Sequence, residues 1–169
     1  MIFWINICIF FLIILLLSDI KYLDRNNNIL FAFSVLFIAL FIGLRYEIGW
    51  DYDSYIWWFY SSDDGTLGEI KQEVMEPTFI FLTELFKTNG FSSQMMFLFY
   101  AVATYFFIML GVRQYFSVGK ERVFAIFIIT FSGGIFWLLC SMIRQGLAIA
   151  ILFWAYQYVL EKKFFKYVC

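Results

Sequence analysis

Long apolar runs separated by short polar clusters set the plan of this chain. Continuous hydrophobic stretches cover Met1–Ser18, Ile29–Leu44, Gln94–Val112, Val123–Cys140 and Gly146–Leu160. A bilayer core about 30 Å thick takes roughly 20 apolar residues as a helix. The five runs therefore predict five transmembrane helices, the second and fifth of them short. Strands are not expected, because the runs are continuous and lack the two-residue alternation of outer-membrane barrels. The expected fold class is all-α: a polytopic membrane helical bundle with spans at 1–18, 29–44, 94–112, 123–140 and 146–160, forming one transmembrane domain over 1–169.

The segment between the second and third runs, 45–93, is too long for a simple turn. Tyr46 to Tyr60 is rich in Trp and Tyr, which favour the headgroup layer. Ser61-Ser62-Asp63-Asp64-Gly65 is a turn signal. Glu76-Pro77 then opens a new segment. Proline suits the first helical turn, where its missing N–H has no partner to lose. Thr78–Lys87 is therefore expected to be a helix ending near Asn89-Gly90, too short to span and so interfacial or re-entrant. The first run lacks a basic leading region and a small-residue cleavage site, and is expected to be a retained helix.

Composition strengthens the membrane reading. With 63% hydrophobic and 24% aromatic residues, too little charge is left to cover a soluble surface. Orientation follows from the basic residues. An external N-terminus places Lys21, Arg25, Arg113, Lys120, Arg122, Lys162, Lys163 and Lys166 inside and only Arg45, Lys71, Lys87 and Arg144 outside. The outer side then collects most of the acidic residues, so the expected chemistry faces away from the cytoplasm and no nucleic-acid partner is expected. Cys8 and Cys140 lie inside apolar runs and Cys169 is terminal, which suits inert thiols better than disulfides or metal ligands. No phosphate loop, zinc or dinucleotide signature is present, so no metal or cofactor is expected.

Two polar interruptions carry the candidate chemistry. Gly43 to Tyr55, GLRYEIGWDYDSY, puts Arg45, Glu47, Asp51 and Asp53 at the end of an apolar run. Ser141-Met-Ile-Arg144-Gln145 separates the last two runs. An arginine at a helix end is either a snorkelling anchor or a functional group, and ionisable residues at membrane depth favour the second reading. The two guanidiniums are expected to converge in one outward-facing cavity. Asp51 and Asp53 would point about 200° apart on a helix, so only one can share a pocket with Arg45; Asp51 is the choice. Glu76 has a helix N-terminus to serve as well as a ligand. Trp50, Tyr52, Tyr55, Trp57, Trp58 and Tyr60 suit an interfacial belt and equally a sugar-stacking platform.

GLRYEIGWDYDSY, Glu76-Pro77 before a short apolar helix, and Ser141-Met-Ile-Arg144-Gln145-Gly-Leu-Ala148-Ile-Ala150 followed by Glu161-Lys162-Lys163 together resemble the EpsG family. Its members are polytopic bacterial proteins of exopolysaccharide synthesis, similar to Wzy-type repeat-unit polymerases. The resemblance implies a glycosyltransferase-type polymerase in the bacterial cytoplasmic membrane. Its substrate would be an undecaprenyl-diphosphate-linked oligosaccharide, and membrane lipid and other polysaccharide-synthesis proteins its partners. Arg45 and Arg144 would then contact the diphosphate, Gln145, Trp50 and Tyr52 would orient Arg144 or the sugars, and Asp51 or Glu76 would act as base. Relatives run to about twice this length, so the chain resembles the N-terminal half of the family and is expected to be a truncated version of it. Whether it is an active enzyme, an inactive fragment or a non-catalytic accessory of glycan assembly or export is left open by the residues alone.

Overall fold

The structure is a computed structural model and describes residues 27–61, 76–131 and 140–161. The expected span 1–18 and part of the expected span 123–140 lie outside the described residues. Those residues form six helices and no strand: α1 (Asn27–Gly43), α2 (Tyr52–Tyr60), α3 (Pro77–Thr88), α4 (Ser93–Tyr115), α5 (Gly119–Phe131) and α6 (Ile143–Leu160).

The central element is α4. Its buried residues include Met96, Phe97, Tyr100, Ala101, Thr104, Tyr105, Ile108 and Val112, recurring every three to four positions and so lining one broad face. Helices α1 and α6 pack against it most extensively, and α5 closes against α1. Close approach is built in where α1 ends: a Cβ on Gly43 would lie 2.8 Å from the Leu98 backbone, which lets the two helices nearly touch. The opposite face of α4 is also apolar, with Phe99, Val102 and Phe106 between 41% and 48% exposed. Helices that stay hydrophobic on both faces belong to a lipid environment.

By length and hydropathy, α4 and α6 are the two described helices able to cross a membrane. This narrows the five-span expectation. The 29–44 run forms the 17-residue helix α1, short for a span. Of the 123–140 run, the part to Phe131 belongs to a 13-residue helix and Cys140 is again helical, with 132–139 outside the described residues.

Pro77 occupies the first turn of α3, a 12-residue helix that ends where Asn89-Gly90 predicts. Gly90 takes a positive φ of 72°, a backbone state glycine adopts freely. The bundle has two chemically distinct ends. At one, Arg122 donates from Nε to the Phe116 carbonyl at 2.8 Å and from Nη1 to Asn28 Oδ1 at 2.7 Å, while Arg113 lies over Phe31. At the other stand the ends of α1 and the starts of α4 and α6, with the two polar interruptions of the sequence.

Candidate functional site

Helix α1 leaves its last carbonyls without intrahelical partners, as every helix does. Two side chains answer them. Arg45 turns back and donates from Nη1 to the Ile42 carbonyl at 3.0 Å and from Nε to the Ile48 carbonyl at 3.0 Å. Gln94, in the first turn of α4, donates from Nε2 to the carbonyls of Gly43 at 2.7 Å and Arg45 at 3.2 Å. The Arg45 guanidinium also lies over the Phe97 ring, 4.7 Å from its centre. Its side chain is buried, only 4% exposed, so the head group does not snorkel. Burial pushes its pKa below the ordinary arginine value, though a guanidinium stays charged in proteins. Nη2 has no partner among the described residues. Ile42, Arg45, Tyr100, Ala101, Thr104, Tyr105 and Ile143 line a cavity of about 10 Å³, room for about one water.

Arg144 sits differently. It lies in the first turn of α6 with its side chain 29% exposed, pairs through Nη1 with the carboxylate of Glu76, and stacks over Phe79 at 5.1 Å and Tyr55 at 5.9 Å. The expected convergence of the two arginines in one cavity does not occur at Arg45, whose cavity includes Ile143 but not Arg144. They meet through rings instead. Phe97 beneath Arg45 packs edge-on against Tyr55 at 6.1 Å, and Tyr55 packs against Phe79 at 5.6 Å beneath Arg144. Both positive charges thus rest on one buried aromatic cluster of α2, α3 and α4.

The loop between α1 and α2 is held tightly. Glu47 has φ 52° and Gly49 has φ 112°, backbone states that favour glycine. A Cβ on Gly49 would lie 2.3 Å from the Cys140 carbonyl oxygen. The next N–H, of Trp50, donates to Ser141 Oγ at 3.2 Å. This fixed backbone carries two outward aromatics, Trp50 at 90% exposed and Tyr46 at 72%. Asp51 is half-buried at the N-cap of α2, and its carboxylate makes no cap hydrogen bond, whereas Asp53 in the first turn is exposed.

Tyr52 lies elsewhere than a ligand contact requires. It is 6% exposed and stacked on Phe97 at 5.0 Å, so its ring belongs to the core. Gln145 is exposed beside Arg144. Sequence reasoning missed Gln94, Phe97 and Phe79 as partners of the arginines; the only local signal was a glutamine at the start of an apolar run. Ser141 was in view as part of the second interruption, but not as the anchor of Trp50.

A bundle whose described residues are all helical, apolar outside as well as inside, with Arg45, Arg144 and an exposed indole gathered at one end, is a helical membrane protein. The EpsG family model matches residues 28–169, most of the chain. The chain belongs to the EpsG family, a family of membrane proteins of polysaccharide synthesis. No curated protein and no solved structure matches it.

Proposed function

We propose that this chain works as a Wzy-like polysaccharide polymerase. It would transfer a sugar chain from an undecaprenyl-diphosphate carrier at the outer face of a bacterial cytoplasmic membrane. One observation carries the reading: Arg144, partly exposed, is seated on the rings of Phe79 and Tyr55 in a chain of the EpsG family. The transfer breaks the bond from the anomeric carbon to the diphosphate oxygen. It joins that carbon to an acceptor hydroxyl oxygen, whose proton must leave. Negative charge collects on the departing diphosphate, and a guanidinium fork answers it with paired, charge-assisted hydrogen bonds.

Arg144 takes that role. Asp51 is the candidate base: half-buried and not committed to capping its own helix, it retains acceptor capacity for the hydroxyl proton. Trp50 presents an indole for sugar stacking, and Gln145 presents an amide beside the phosphate contact. Arg45 acts one step back. With Nε and Nη1 on carbonyls of its own backbone, it positions the loop bearing Trp50 and Asp51, leaving Nη2 as the nitrogen with no partner among the described residues.

The test is genetic and direct. In cells carrying this chain as the only copy, Arg144→Ala is expected to abolish long polymer, and Arg144→Lys to restore only part of it because the fork is lost. Polymer of unchanged length and yield in Arg144→Ala overturns the assignment and favours an accessory role.

A further inference from the structure

Glu76 is the residue before α3, with extended backbone at φ −65° and ψ 137°. An acidic residue there ordinarily turns its carboxylate onto the free N–H groups of its own helix. Glu76 makes no such bond. Its carboxylate crosses to α6 and pairs with Nη1 of Arg144, a pair with side chains 60% and 29% exposed. The guanidinium is supported from below by the faces of Phe79 and Tyr55. An anion therefore already occupies this guanidinium, and it comes from within the chain.

We propose that Glu76 is a resident stand-in for a phosphate on Arg144, displaced when a diphosphate binds. The inference rests on reading Arg144 as a phosphate contact. Carboxylate and phosphate present the same pair of oxygens to a guanidinium fork, so one site serves both, and a diphosphate brings more charge than a single carboxylate. An exposed ion pair holds weakly, so the exchange is open to an incoming ligand. The released carboxylate has a second partner close by at the start of α3, where Pro77 has no N–H and those of Phe79 and Ile80 bond the Glu76 carbonyl, which leaves the Thr78 N–H. Glu76 thus has two positions, on α6 when the site is empty and on its own helix when it is loaded. In the first it keeps Arg144 from adventitious anions. In both its carboxylate has a partner, which leaves the base role to Asp51.

The test uses the full chain in lipid nanodiscs, with inorganic pyrophosphate as probe and equilibrium binding as readout. Glu76→Gln keeps the size of the side chain and removes the competing charge, so pyrophosphate is expected to bind about fivefold more tightly. Arg144→Gln is expected to bind at least about tenfold more weakly, and the double variant no more tightly than Arg144→Gln. If Glu76→Gln binds no better than the unaltered chain while Arg144→Gln loses binding, the stand-in is wrong and the phosphate contact stands. If Arg144→Gln binds as the unaltered chain does, both fall. A second arm adds undecaprenyl diphosphate to the nanodisc. Displacement of pyrophosphate supports the lipid-linked ligand. Absence of displacement, with the fivefold gain intact, supports the same exchange with a soluble diphosphate and overturns the lipid-linked reading.

Discussion

The guanidinium of Arg45 lies over the ring of Phe97, 4.7 Å from its centre, while its Nε and Nη1 hold the carbonyls of Ile48 and Ile42. A planar fork fits two carbonyls and a ring at once; an ammonium does not. Arg45→Lys is therefore expected to lower stability by about 2 kcal/mol, the scale for losing buried hydrogen bonds to a charged group. Thermal unfolding in detergent measures it. Arg144→Lys, at a partly exposed pair, is expected to change stability by less than about 1 kcal/mol. Equal losses at the two sites would contradict the division between a positioning arginine and a ligand-facing one.

Gly49 and Gly90 both have positive φ, yet only Gly49 faces a backbone atom where a Cβ would go. Gly90→Ala is expected to cost about 1 kcal/mol, from backbone conformation alone. Gly49→Ala adds a clash with the Cys140 carbonyl that no side-chain rotation relieves. A larger fall in unfolding temperature for Gly49→Ala is expected, together with loss of polymer, because the displaced loop carries Trp50 and Asp51.

Trp50, nearly fully exposed, contributes little to packing. Trp50→Ala is expected to leave stability within about 0.5 kcal/mol and to shorten the polymer made in cells. Full-length polymer with altered membrane extraction would assign the indole to the interface instead.

Tyr55 touches Phe97, Phe79 and Arg144 with its ring, and these ring contacts seat the guanidinium. Tyr55→Phe is expected to be neutral in both stability and product. Tyr55→Leu is expected to cost about 2 kcal/mol through lost aromatic packing. It should also weaken pyrophosphate binding, since Arg144 loses part of its seat. Unequal unfolding temperatures for the unaltered chain and Tyr55→Phe would show that the hydroxyl matters.

Element positions were legible from the sequence wherever one physical signal dominated. Apolar runs located α1, α4 and α6, and proline with Asn-Gly bracketed α3. Hydropathy did not fix span lengths, because helix ends are decided by capping contacts: α1 stops at Gly43, where Gln94 and Arg45 take over its carbonyls. Charge marked both arginines but not their partners. Arg45 and Phe97 are 52 positions apart and Glu76 and Arg144 are 68 apart, so neither contact leaves a trace in local periodicity. Tyr52 illustrates the same limit. Its neighbours Trp50 and Asp51 face outward or half-outward, and only the fold turns the Tyr52 ring inward onto Phe97.

The loop from Gly43 to Trp50 is riveted to α4 by Gln94 and to the approach to α6 by Ser141. Across from it, α3 meets α6 through the Glu76–Arg144 ion pair and through the Phe79 ring beneath Arg144. The two borders of the Arg144 platform thus differ in kind, one pinned through backbone hydrogen bonds and the other held by buried rings and a partly exposed ion pair. On the proposed reading, a ligand that takes Arg144 from Glu76 would release the charged part of the second border and leave the backbone-held loop bearing Trp50 in place.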